Sequence, residues 1–269
     1  MKTIFFNYKM KSAVIFGSSS SRILSILDNV KVNTYKGKSI LGLLKDDIIK
    51  KDIIEKVKHY KDKKCLFFWF GTVDLTSIFY YKIIYKNEYF DFEPLIKRYV
   101  KFIADLKTDS KKIIFVPSYP TWETKEEIIG GVLNYGTVLK LKDIKTEHKK
   151  FLTRKILLEN YNLIKNTLIK ECKKYKIRLI NIESILKNKN GKIKKKYKNP
   201  FNKYSVHIVW EEIIEELVVL INDCGIHKKN IKINRKEYEK WIKYRKIKEK
   251  EKKRKKRKKI YQISDYILF

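Results

Sequence analysis

The sequence predicts a three-layer α/β domain on a doubly wound, parallel five-stranded sheet of flavodoxin-like order 2-1-3-4-5, with a basic C-terminal extension. Three observations carry this. Short runs that are apolar at nearly every position alternate with longer stretches of helical period, the pattern of βαβ units. The runs lack the apolar/polar alternation of a half-buried strand, so both faces of each strand are covered. The chain has 269 residues and is 43 % hydrophobic, enough for one sizeable core but short for two. A change of composition near residue 228 divides a domain over 1–227 from a Lys/Arg-rich tail over 228–269.

The elements follow in order. Ser12-Ala13-Val14-Ile15-Phe16 reads as the first strand. It runs into Gly17-Ser18-Ser19-Ser20-Ser21-Arg22, a tight turn opening a helix over 20–27. Such a turn presents serine oxygens at a helix N-terminus, where negative charge is stabilised. A strand over 30–35, a helix over 40–60 and a strand over 65–70 complete the next unit. A helix over 92–106 leads to a strand over 112–116, with Pro117-Ser118-Tyr119-Pro120 as a rigid exit. Residues 121–150, with Gly130, Gly131 and Gly136, read as an excursion or lid. In the helix over 153–175, Leu157, Leu158, Tyr161, Ile164, Leu168 and Cys172 keep one apolar stripe. A strand over 177–182 and a helix over 210–224 close the domain. Right-handed crossovers give the stated sheet order.

The formal charge is +34. Residues 228–259 hold nineteen Lys/Arg against four Glu, and the run 252–259 is wholly basic, a block that repels itself and reads as mobile more readily than as helix. Such a tail suits nucleic acid, an anionic surface or nuclear localisation. Alanine occurs only at Ala13 and Ala104 while Lys, Ile, Asn and Tyr abound, a bias expected of an AT-rich genome, so much of the charge reads as solvated surface. Cys65, Cys172 and Cys224 show neither metal-ligand spacing nor a disulfide framework, which fits a reducing compartment. The opening residues have too short an apolar core for a signal peptide, and no apolar run approaches the roughly 18 residues of a membrane span. An intracellular, cytoplasmic protein is expected. No Walker loop or dinucleotide fingerprint occurs, and no cofactor or metal is expected. His59 and His148 read as solvent-facing residues, and His227 as a helix end.

Chemistry is expected at the carboxyl rim, where the strand order reverses between the first and third strands. Gly17-Ser18-Ser19, Lys36-Gly37-Lys38-Ser39, Gly71-Thr72-Val73-Asp74 and the loop carrying His207 converge there. A serine, a histidine and backbone donors are the parts of nucleophilic acyl chemistry. Tyr80, Tyr81 and Tyr85 read as helix packing, or as the lining of a sugar cleft.

These segments resemble the sequence blocks of the SGNH/GDSL hydrolase superfamily. Gly17-Ser18-Ser19 resembles its Gly-Asp-Ser, Gly37 the glycine of the second block, Gly71-Thr72-Val73-Asp74 its Gly-x-Asn-Asp, and the stretch ending Ser205-Val206-His207-Ile208 its Asp-x-x-His. Asn190-Gly191-Lys192-Ile193 and Tyr197 resemble the approach to the catalytic histidine. The resemblance implies Ser19 as nucleophile and His207 as base, with backbone N–H of Ser19 and Gly37 toward the oxyanion and Gly71 and Asp74 beside it. Two positions depart. Val73 stands for the oxyanion-hole asparagine, and Tyr204 for the aspartate. Asn202 is the nearest side chain to orient the imidazole, giving a Ser19–His207 dyad supported by Asn202 or a backbone carbonyl. The implied activity is a serine esterase or O-acyltransferase on an acylated small molecule or glycan. The departures favour a catalytically degenerate binding module, and the tail suggests nucleic-acid association.

Overall fold

The computed structural model describes residues 13–60, 65–134, 139–200, 202–224, 231–247 and 250–251. Five parallel strands, β1 (Ala13–Gly17), β2 (Val30–Thr34), β3 (Cys65–Trp69), β4 (Lys111–Phe115) and β5 (Arg178–Ile180), form one sheet of order β2-β1-β3-β4-β5. This is the predicted fold class. Every residue of β1 and β3 is buried, as continuous apolar runs require when both faces are covered. Registers Gly17↔Thr34 and Gly17↔Trp69 align the carboxyl ends of the three strands that bear the site.

The helices are α1 (Ile40–Lys45), α2 (Asp47–His59), α3 (Phe92–Ala104), α4 (Lys125–Asn134), α5 (Arg154–Lys174), α6 (Glu183–Leu186), α7 (Ile214–Asn222) and α8 (235–247). Two predictions on local structure are corrected. The expected helix over 40–60 breaks at Asp46, whose carboxylate accepts the Ile49 N–H and starts a second helix as its N-cap. The segment after Ser18 is a 3₁₀ helix, Ser19–Ile26.

Residues 121–134 pack as structure in their own right. An added Cβ on Gly131 would lie 2.1 Å from the Trp122 ring, and one on Gly130 2.2 Å from the Tyr204 ring, so both glycines let α4 approach these aromatics. Gly136 lies outside the described residues. His148 is buried at 5 % exposure, and its Nδ1 accepts the Lys145 N–H at 3.2 Å, correcting the solvent-facing reading. His59 is exposed, while His227 lies outside the described residues. The three cysteines are free and buried, and burial pushes the Cys172 thiol up to about 12.

Where it is described, the extension is bonded to the domain. Ile233 bridges Leu27, the Asp28 N–H donates to the Lys232 carbonyl, and the Asn234 N–H to the Ile26 carbonyl. These bonds seat α8 against the 3₁₀ helix. The basic run 252–259 lies outside the described residues. No helix among those described is long and apolar enough to cross a membrane.

Candidate active site

The serine turn is fixed from below. The Ser18 N–H donates to the Trp69 carbonyl at 3.0 Å, and the Ser21 hydroxyl donates to the Ser18 carbonyl at 2.8 Å. Ser18, Ser20 and Ser21 are buried, and Ser18, at the N-cap position, makes no side-chain capping bond. Ser19 is half-buried and opens to a cleft of about 270 Å³. As the first residue of its helix it also carries one of the N–H groups that helical geometry leaves without an internal partner.

His207 lines the same cleft. Its loop is clamped by the chain after β4. The Thr121 hydroxyl donates to the Ser205 carbonyl at 2.7 Å, and Trp122 Nε1 to the Tyr204 carbonyl at 2.9 Å. Lys198 pairs with Glu123 and Glu127, and Lys203 with Glu126. The Tyr197 carbonyl accepts the Val209 N–H, tying the approach segment to the histidine loop. Beyond His207, Trp210 stands edge-on to Trp69 with ring centroids 4.9 Å apart. The histidine segment is thus anchored to the strand that also holds Ser18.

The other predicted residues lie outside the lining of this cleft. Asn202 Oδ1 accepts the Tyr204 N–H at 3.1 Å and its carbonyl accepts the Ser205 N–H, so it shapes the turn before His207. Gly37 is exposed in a turn at φ +67°, and the neighbouring Tyr35 N–H donates to the Gly17 carbonyl at 2.8 Å. Gly71, at φ +106°, is needed where a Cβ would meet Pro117 Cγ at 2.5 Å. Val73 is half-buried in a helical stretch over 72–85 that contains two π-helical segments. Tyr80 is buried, as helix packing requires, and the stacked Tyr81 and Tyr85 are not among the residues lining this cleft.

Asp74 is fully buried, and its carboxylate accepts the Ile40 N–H at 2.6 Å and the Leu41 N–H at 3.0 Å. It caps α1 from a distant segment and so fixes the loop that carries Gly37. Burial outweighs these two bonds and raises its carboxyl to about 6 from 3.8. The folded protein therefore binds this proton more tightly than the unfolded chain. Stability from this site is full below about pH 4 and falls as pH rises through 6, by roughly 3 kcal/mol. Asp74→Asn is expected to flatten that interval in urea titrations at pH 4 to 7. An unchanged slope would contradict the linkage.

Sequence reasoning missed most of the cleft lining, including the four residues that carry its charge and brace it. Glu211, four residues after His207, accepts from Trp241 Nε1 at 2.9 Å and from Arg245 at 2.6 Å. Both partners sit on α8 and line the cleft with it. Arg22, from the 3₁₀ helix, completes the wall, its guanidinium carbon 5.9 Å from the Trp241 ring centroid. Their spacing along the chain carries no local signal, because only the docking of α8 joins them.

Solved structures similar to this chain include a Bacteroides fragilis protein provisionally described as an acylhydrolase, at 11 % identity and TM-score 0.50 over 79 % of this chain and 86 % of that one. The chain shares the fold of that protein. A GDSL-like lipase of Bacteroides thetaiotaomicron is 11 % identical at TM-score 0.49, covering 81 % and 90 % of the two chains. An acetyl xylan esterase is 14 % identical at TM-score 0.48, covering 80 % and 100 %. Of these, the first alone reaches the similarity at which a shared fold follows. No family model matches the sequence, and no curated protein matches it.

Proposed function

We propose that this chain is a serine esterase, or an O-acyltransferase of the same chemistry, using Ser19 as nucleophile and His207 as general base. The supporting observation is that both residues line one cleft at the carboxyl rim of the sheet, brought there by separate clamps. In the proposed reaction His207 takes the Ser19 proton as the hydroxyl oxygen attacks the acyl carbonyl. The leaving alcohol receives that proton, and water or an acceptor alcohol then discharges the acyl-enzyme. The backbone N–H of Ser19, at the start of its helix and without a partner inside it, stabilises the oxyanion. Trp210, Trp241 and Tyr244 give the cleft aromatic faces suited to a sugar ring or aryl group, which keeps acylated glycans among the substrates.

Val73 and Tyr204 favour a second reading, a binding module without turnover, because neither supplies the asparagine donor or the carboxylate. Release of 4-nitrophenol from its acetate by the full-length protein separates the two. Turnover above the rate of a Ser19→Ala control supports the esterase, and turnover equal to that control supports the binding module.

A further inference from the structure

Ser19 and Arg22 are three residues apart in a 3₁₀ helix. Side chains at that spacing eclipse, one about 6 Å along the axis from the other, whereas an α-helix would turn them apart. The two side chains thus leave the helix on one side, and both line the cleft. Trp241, from the docked α8, braces the Arg22 guanidinium face.

The charge balance of the cleft is uneven. Its lining holds two arginines and one glutamate. Glu211 is bound to Arg245, while Arg22 forms no ion pair with any described residue. Among the described residues one cation is therefore left without a carboxylate partner on a half-apolar wall of the cleft that Ser19 lines.

We propose that Arg22 is the specificity-determining residue of this cleft and that its substrate is an acyl ester carrying an anionic oxygen group, carboxylate or phosphate, close to the ester. This rests on the esterase reading for the ester and on Arg22 and Trp241 for the charge. A planar guanidinium held against an indole meets such a group with charge-assisted hydrogen bonds. The acyl carbonyl then lies over Ser19. The basic extension acts here as a wall of the site, through α8.

The test is calorimetric binding to full-length Ser19→Ala protein, which removes the nucleophile from the measurement. The probes are 4-acetoxybenzoate, 4-acetoxyphenyl phosphate and the neutral 4-acetoxybenzamide. At least one anionic ester is expected to bind about tenfold more tightly than the amide. Tightening by the carboxylate or by the phosphate tells which group the site takes. Adding Arg22→Gln is expected to abolish the preference, and Arg22→Lys to retain part of it. Equal binding of all three probes overturns the proposal. So does a preference that survives Arg22→Gln, because the field of the +34 chain would then account for it. Hydrolysis of the neutral amide ester by the unmodified protein is read separately. Its absence, with the Arg22-dependent preference intact, would sink the esterase and leave the anion site standing.

Discussion

Ser19→Ala is expected to lower kcat/KM for aryl acetates by at least about 10³-fold, with the unfolding midpoint nearly unchanged. Ser19 is half-buried, and the bonds that fix its turn belong to Ser18 and Ser21, so the fold has little to lose from its hydroxyl. His207→Ala is expected to have a similar effect. The double variant should be scarcely worse than either single one, because a nucleophile and its base act as one unit. Additive losses would contradict the shared role. Initial rates with 4-nitrophenyl acetate, read beside urea unfolding of each variant, check both parts.

Gly17→Ala is expected to damage fold and site together. An added Cβ would sit 2.7 Å from Ser21 Cβ, 2.8 Å from Ser21 Oγ and 2.9 Å from the Trp69 carbonyl oxygen. One neighbour is backbone of the central strand, and the other is locked by its bond to the Ser18 carbonyl. Relief therefore requires the turn to move. Overpacking of this kind costs about 1–3 kcal/mol. The displaced turn carries Ser19, so activity measured where the variant is fully folded should also fall, by about 10²-fold. A variant that keeps wild-type stability would show that the turn is more pliant than this packing implies.

The sheet was legible because buried parallel strands leave a signal that neighbours cannot erase. Residues 13–16 and 65–69 are apolar almost throughout, and the structure buries both runs completely. Ser19 stood out in the turn after the first strand and His207 in the loop before the last helix, and both line the cleft. The helix break at Asp46 was written in a capping residue whose effect depends on which N–H groups it meets. Asp74 was read as a residue beside the oxyanion, but it caps α1, more than thirty residues away, a pairing only tertiary structure sets. Composition also misled. A Lys/Arg-rich extension reads as solvated tail, yet Trp241 and Arg245 within it bind Glu211 and close the cleft. The charge describes the face of α8 that meets water, and the few residues on its other face decide where it docks.

The central claim is an activated serine at position 19. Labelling of the purified full-length protein with a fluorophosphonate, the adduct mapped by mass spectrometry, tests it most directly. The expected result is a single covalent adduct on Ser19 that His207→Ala abolishes. A folded protein that stays unlabelled, or is labelled elsewhere independently of His207, would contradict it.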